Sequence, residues 1–275
     1  MIKRILVGLD NTPYTQSALE YARVIAENFQ ARITGLAVID TEDIEDHTAG
    51  AGIGSIYYAK HLEEKMLADA KEHTLKITAD FVKYCKNHNL EFTNIIESGV
   101  PFQILKEDSR FNDLMIVGKE THFNFPDKDE PGDTLLKLIK CNTIPILAVK
   151  ESYEPIRNVL IPVTHSEKTS RMIRFFMQFG LTQTNVFLLH CTDDEKNGEL
   201  LLHMVIDYIQ SFGFKVESYL RKGNPKKEIL EFASEKECQM IVMASNEKHR
   251  IARFFLGSTT KHILENSDAN LLLFD

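Results

Sequence analysis

The chain has 275 residues, of which 43% are hydrophobic, and its 40 acidic and 32 basic residues give a formal net charge of -8. Because charges of both signs are interspersed, we expect neither a nucleic-acid backbone nor an anionic membrane as the main partner. No run approaches the roughly 18 apolar residues that cross a bilayer, so a cytoplasmic protein of two domains is expected. Cys85, Cys141, Cys191 and Cys238 lack the spacing of metal ligands or of a disulfide framework, which predicts buried free thiols and no metal site.

In the first half, short runs rich in β-branched residues alternate with longer amphipathic patterns, as in a series of alternating strands and helices. Strands are predicted at residues 4–9, 33–39, 92–96, 114–117 and 144–149. Helices are predicted from Pro13 to Phe29, from Tyr57 onward, at 101–107 and at 134–139. Thr12 is expected to cap the first of these helices, with Pro13 at its first position.

The second half repeats this order of elements. Strands are predicted at 158–163, 186–190 and 240–243, and the turn Gly223-Asn224-Pro225 corresponds to Gly99-Val100-Pro101. The duplication predicts two similar domains, at about 1–150 and 153–275.

The two halves differ mainly by an insertion after the second strand of the first half. Asp40 and Asp193 lie 153 residues apart, whereas Gly99 and Gly223 lie 124 apart, so the first half carries about 29 extra residues, within 41–72. Several side chains of this segment are costly to expose, which predicts that it packs over a neighbouring surface as a lid or an interface contact. These side chains are Ile53, Ile56, Tyr57 and Tyr58.

Strands that alternate with helices, several of them apolar along their whole length, predict an α/β fold with a doubly wound, five-stranded parallel sheet in each half. The order of strands is 2-1-3-4-5 or 3-2-1-4-5, and the ligand crevice lies beyond the carboxyl ends of the strands. The second order would bring Asp10 close to Gly118 in the first half, and Thr164 close to Ala244 in the second half.

Three features make the chain resemble a tandem member of the universal stress protein family. They are the opening strand that ends in Asp10, the Gly-x-Pro turn in both halves, and a buried strand followed by a loop and Gly257-Ser258. The resemblance implies two domains of the adenine nucleotide alpha hydrolase-like fold with strand order 3-2-1-4-5. It also implies an intramolecular pseudo-dimer in which the last strands, 144–149 and 270–274, pair with each other.

The resemblance also implies where a nucleotide would bind. ATP-binding members of the family have an aspartate near the adenosine and a Gly-x2-Gly-x9-Gly-Ser/Thr loop around the phosphates, and many members lack this loop. In the first half, Asp10 and Gly118 match the pattern, but Thr121 replaces the second glycine. Gly132 comes one residue late, and Asp133 stands where a hydroxyl is expected, so its carboxylate would compete with a phosphate for the helix N-terminus.

The second half keeps the part of the pattern that would bind the phosphates. Gly257 and Ser258 have the family spacing, and Arg250 and Arg253 make the preceding loop basic. If an anion binds at all, we expect it at the N–H groups of Gly257 and Ser258. The other interpretation of this pair is an ordinary helix cap.

The residues that would contact the nucleoside differ from the family pattern in the second half. Thr164 replaces the aspartate, and Ala244 and Glu247 replace glycines. In the first half Asp10 has two interpretations, a contact with adenosine or a cap of the turn before Thr12.

His190, at the end of a strand, is expected to be a buried, hydrogen-bonded histidine rather than a metal ligand.

No catalytic motif supports an enzyme, because the sequence contains no Gly-x-Ser-x-Gly elbow, no Gly-x4-Gly-Lys-Ser/Thr loop and no His-Glu-x-x-His pattern. We therefore expect a non-catalytic stress-response protein that acts as a scaffold or sensor for an unknown protein partner and requires no cofactor. The alternative is a regulatory switch that binds ATP or AMP and hydrolyses ATP slowly at most. Further association into a homodimer of tandem chains is compatible with either interpretation.

Overall fold

The structure, a computed structural model, describes residues 1–42, 44, 56–121, 133–141, 144–181, 183–244 and 257–274. The first half consists of β1 (Arg4–Leu9), α1 (Tyr14–Phe29), β2 (Arg32–Asp40), α2 (Ile56–Asn87), β3 (Phe92–Gly99), α3 (Pro101–Ser109), β4 (Leu114–Gly118), α4 (Asp133–Cys141) and β5 (Ile146–Val149). The second half consists of β6 (Asn158–Pro162), α5 (Glu167–Met177), β7 (Asn185–Cys191), α6 (Glu195–Gln210), β8 (Lys215–Arg221), α7 (Pro225–Glu235), β9 (Met240–Ala244), α8 (Ser258–Asn266) and β10 (Asn270–Phe274). Within this part of the chain, no helix is long and apolar enough to cross a membrane.

All ten strands form one sheet, in the order β3-β2-β1-β4-β5-β10-β9-β6-β7-β8. Each half contributes five parallel strands in the order 3-2-1-4-5, which confirms the predicted α/β fold. The halves join where β5 and β10 run antiparallel, with Leu147 opposite Leu272. The predicted pairing of the last strands is therefore confirmed, and it covers an apolar edge that each half would otherwise expose.

Helices cover both faces of the sheet. One face of the core carries side chains of α1, α2, α5 and α6, and the other face carries side chains of α3, α4, α7 and α8. The central strands are apolar along their whole length because both faces are buried: every residue of β4 and β9 is buried.

A hydrogen-bonded cluster ties the two halves together on the α1 side of β5 and β10. The side chain of Asn270, at the start of β10, is fully buried. Its Nδ2 donates to Tyr21 Oη (2.9 Å) and to the Gln239 carbonyl (2.8 Å), while its Oδ1 accepts from the Lys150 N–H at 3.0 Å. Tyr21 Oη in turn donates to the Glu154 carbonyl at 2.8 Å. The halves are thus held together by a satisfied polar network as well as by strand pairing.

The insertion consists partly of a longer helix, since α2 has 32 residues and its counterpart α6 has 16. Ile44 packs on Ile39 and Ala70, but Tyr57 and Tyr58 are 79% and 74% exposed. The described residues of this chain therefore do not cover these two rings, and an interface contact stays a prediction. The helix is about 48 Å long, whereas a strand of nine residues such as β2 spans about 30 Å, so its first turns extend past the sheet. Ile53 lies outside the described residues.

Candidate functional site

The turn between β1 and α1 is organised around the carboxylate of Asp10. This side chain is 5% exposed. Its Oδ1 accepts hydrogen bonds from Thr12 N (3.1 Å), Thr12 Oγ1 (2.6 Å) and Thr15 Oγ1 (2.7 Å). Asp10 therefore caps the turn, as one of its two interpretations predicted. Thr12 is not the helix cap: Pro13 occupies that position, and no described side chain accepts a hydrogen bond there.

The second half builds the same turn from hydroxyl groups. Thr164 Oγ1 lies 3.1 Å from Ser166 Oγ and 2.8 Å from Thr169 Oγ1. The spacing of these residues, i, i+2 and i+5, is the spacing of Asp10, Thr12 and Thr15. Ser166 caps α5 by accepting from the Thr169 N–H at 3.1 Å. A neutral hydroxyl at Thr164 can thus replace the Asp10 carboxylate without loss of the turn, since Ser166 supplies the cap.

Gly118 ends β4 next to the turn that follows β1, because β1 and β4 are paired neighbours with Val7 opposite Ile116. The structure therefore brings the ends of these strands together as predicted, but the space directly beside the Cα atom of Gly118 is occupied. A Cβ atom on Gly118 would lie 2.5 Å from Tyr14 Cβ and 2.9 Å from Thr121 Oγ1. Thr121 is itself buried and donates to the Gly118 carbonyl at 2.7 Å.

Tyr14 packs beside Gly118 from the first turn of α1. Burial, together with the charge of Glu120 and a hydrogen bond to it, raises the pKa of the Tyr14 hydroxyl to about 12. The phenol therefore stays protonated and donates to the Glu120 carboxylate at neutral pH. Packing of the Tyr14 side chain leaves no room for a residue larger than glycine at position 118. This packing explains the glycine without a bound phosphate.

In the second half, α8 begins at Ser258 with Gly257 as its cap residue. Among the described residues, no side chain accepts from the N–H groups of its first turn. The first turn of this helix therefore keeps donors that an anion could use. Ala244 ends β9 beside Phe274 of β10. Arg250, Arg253, Glu247 and Gly132 lie outside the described residues, and Asp133 is the first residue of α4.

His190 is a buried histidine on β7, as expected. Its Nδ1 donates to the Val163 carbonyl at 2.7 Å, and its ring packs edge-on against His165 at 5.9 Å between centroids. In the described part of the chain, no three histidine, cysteine or carboxylate side chains come together as metal ligands.

The model of the universal stress protein family matches residues 1–119 and 207–275, which together are well over half of the chain. The chain belongs to the universal stress protein family. A universal stress protein of Methanocaldococcus jannaschii is 29% identical over 79 residues, which are 29% of this chain and 46% of that protein. A second protein of that organism is 29% identical over 65 residues. The chain spans less than half the length of these two curated relatives.

Solved structures of this family share the whole fold. A universal stress protein from Archaeoglobus fulgidus superposes with a TM-score of 0.74 at 18% identity, and the match covers 99% of this chain and 98% of that one. A putative universal stress protein from Pseudomonas aeruginosa superposes with a TM-score of 0.68 at 15% identity, over 99% and 93% of the two chains. At these identities the likeness establishes the fold, and the chemistry of the site has to come from the residues themselves.

The structure shows contacts of two residues of this universal stress protein that were not among the candidate site residues. Tyr14 lies on Gly118, and Lys119 reaches from the end of β4 to the Ser267 carbonyl beside β10. Residue patterns along the chain do not reveal a contact between a helix start and a strand more than 100 positions away. For Lys119 the sequence did contain an indication, because a lysine directly after the buried run 114–118 places its ammonium group near the carboxyl end of the strand.

Proposed function

We propose that this universal stress protein is a non-catalytic binding protein that serves as a scaffold or sensor for a protein partner. The observation that carries the proposal is the contact of Tyr14 with Gly118, which occupies the space directly beside this glycine at the end of β4. In a doubly wound sheet, this is the place where a ligand would otherwise enter.

A nucleotide in the first half would have to displace three groups that already have partners. The carboxylate of Asp10 holds its turn through three donors, the Thr121 hydroxyl is bonded to the Gly118 carbonyl, and Tyr14 lies on Gly118. Each broken hydrogen bond costs about 1 kcal/mol net, and more if a buried group is left without a partner. These costs support a scaffold rather than a nucleotide-driven switch.

The second candidate function is a switch that binds ATP or AMP, and the start of α8 favours it. The first-turn N–H groups of this helix have no side-chain acceptor among the described residues. A charge-assisted hydrogen bond to a phosphate contributes about 1.5 to 3 kcal/mol, so two or three of them at Gly257 and Ser258 would hold a phosphate. Thr164 would give little selectivity for adenosine, since it offers a hydroxyl in place of a carboxylate.

Isothermal titration of the purified protein with ATP and with AMP separates the two functions. A scaffold gives no saturable heat, whereas stoichiometric binding at micromolar affinity would establish the switch and overturn the proposal. If binding occurs, the pair of substitutions Ser258→Asp and Arg253→Ala should abolish it. The matched control is Ser234→Asp, which places the same charge on an exposed position of α7.

A further inference from the structure

A cavity of about 540 Å³ lies where the two halves of the sheet meet. Its walls are Tyr14 at the start of α1, the residues that follow β4 and β5, the first turn of α4, and the chain from the last turn of α8 to Asp268. Leu135, Leu136 and Leu264 form its apolar part. The volume is that of a typical site for a small molecule, and the cavity is partly open to solvent.

Lys119 places its amine in the wall of this cavity. The Nζ atom donates to the carbonyl of Ser267, which also lines the cavity. Among the described residues, no carboxylate forms an ion pair with Lys119 within 4.0 Å. Titratable side chains of every neighbouring element nevertheless face the cavity. They are Tyr14, Glu120, Lys150, Glu151, Glu265 and Asp268.

The environment favours the neutral amine of Lys119. Its pKa is lowered to about 8, mainly by burial; Asp268 and Glu120 oppose this shift, and the charge of Lys150 contributes to it. At pH 7.5, roughly one quarter of such amines are neutral, compared with about 0.1% for a lysine of ordinary pKa. A neutral amine held in a cavity that a small molecule can enter is a nucleophile.

We propose that Lys119 is a covalent binding site for small, uncharged aldehydes that enter the cavity between the two halves. The lone pair of Nζ attacks the carbonyl carbon, and a proton passes from nitrogen to oxygen to give a carbinolamine. Loss of water then leaves an imine between Nζ and the aldehyde carbon. The sequence of steps consumes one amine and one aldehyde, releases one water, and requires no oxidant or cofactor.

The charge of the cavity defines the class of aldehyde. Four carboxylates and two lysines face it, so it repels an anionic aldehyde, while the three leucines favour an aliphatic chain. The adduct would also remove the hydrogen bond from Lys119 to Ser267, which connects the two halves. Tyr14 lies between this cavity and Gly118, but the adduct forms on Lys119 and needs no nucleotide, so this inference does not depend on the function proposed above.

The experiment is reductive trapping. The full chain is incubated with butyraldehyde and sodium cyanoborohydride between pH 6 and pH 9, and the alkylation rate of each lysine is measured by peptide mass spectrometry. Lys119 should be alkylated at least about 10-fold faster than the exposed Lys227 at pH 7.5, because its larger neutral fraction outweighs its lower basicity. Its rate should level off above about pH 8, the pKa of its amine.

Two variants and a second aldehyde complete the test. Asp268→Asn removes a charge that raises the pKa of Lys119, so it should accelerate labelling at pH 7, and Lys119→Arg should abolish the labelled peptide. Glyoxylate, which is anionic, should react more slowly than butyraldehyde at Lys119. Labelling of Lys119 no faster than that of Lys227 would overturn the site, and faster reaction with glyoxylate would overturn the class of ligand.

Discussion

The substitution Gly118→Ala tests whether this glycine is required by packing. The new Cβ would lie 2.5 Å from Tyr14 Cβ, 2.9 Å from Tyr14 Cγ and 2.9 Å from Thr121 Oγ1. Carbon atoms pack at about 3.5 to 4.0 Å, so a displacement of roughly 1 Å is needed. Because β4 is hydrogen bonded between β1 and β5, the start of α1 has to move. We expect the free energy of unfolding to fall by about 1 to 3 kcal/mol, the usual cost of overpacking.

The assay is guanidinium unfolding followed by circular dichroism, arranged as a double-mutant cycle with Tyr14. In a Tyr14→Gly background, which removes the clashing Cβ, the cost of Gly118→Ala should drop by about 1 kcal/mol or more. In a Tyr14→Ala background, which keeps that Cβ, most of the cost should remain. A Gly118→Ala protein within about 0.5 kcal/mol of the parent, or equal rescue in both backgrounds, would refute the packing argument.

Two further predictions concern single side chains. Asp10→Ala removes three hydrogen bonds to a buried carboxylate and should lower the free energy of unfolding by about 2 to 4 kcal/mol. The control Thr164→Ala, at the exposed equivalent position, should lower it by less than about 1 kcal/mol. Equal losses in denaturant titrations of the two variants would contradict the structure. The pKa of Lys119 is about 8 in the folded chain and near its usual 10.5 in the unfolded chain. Between pH 8 and pH 10.5 the unfolded chain therefore binds more protons than the folded chain, so the free energy of unfolding rises with pH. The rise is at most about 3 kcal/mol from pH 8 to pH 10.5, and it should be absent from Lys119→Met, so identical pH dependences of the two proteins would contradict the burial of this amine.

The duplicated order of elements was sufficient to predict the fold class of each half. Two runs of strands and helices with matching Gly-x-Pro turns implied two α/β units, because hydrophobic periodicity is local in the chain. The strand order 3-2-1-4-5 and the pairing of β5 with β10 were implied only by the resemblance to the universal stress protein family.

The details of the site depend on contacts that periodicity does not contain. The match of Asp10 and Gly118 to a nucleotide-binding pattern could not reveal that Tyr14 fills the space next to Gly118. The exposure of Tyr57 and Tyr58 in this chain could not be predicted for a similar reason, since the length of α2 relative to the sheet is a property of the assembled fold.

The central claim of the proposed function is that no nucleotide binds beside Gly118 in the first half, and amide chemical shifts during a titration with AMP test it most directly. The N–H resonances of Gly118 and Thr121 report on the first half, and those of Gly257 and Ser258 report on the start of α8. The structure predicts that the resonances of Gly118 and Thr121 stay unchanged up to about 1 mM AMP, even if those of α8 move. A saturable shift of Gly118 and Thr121 at micromolar AMP would contradict the claim.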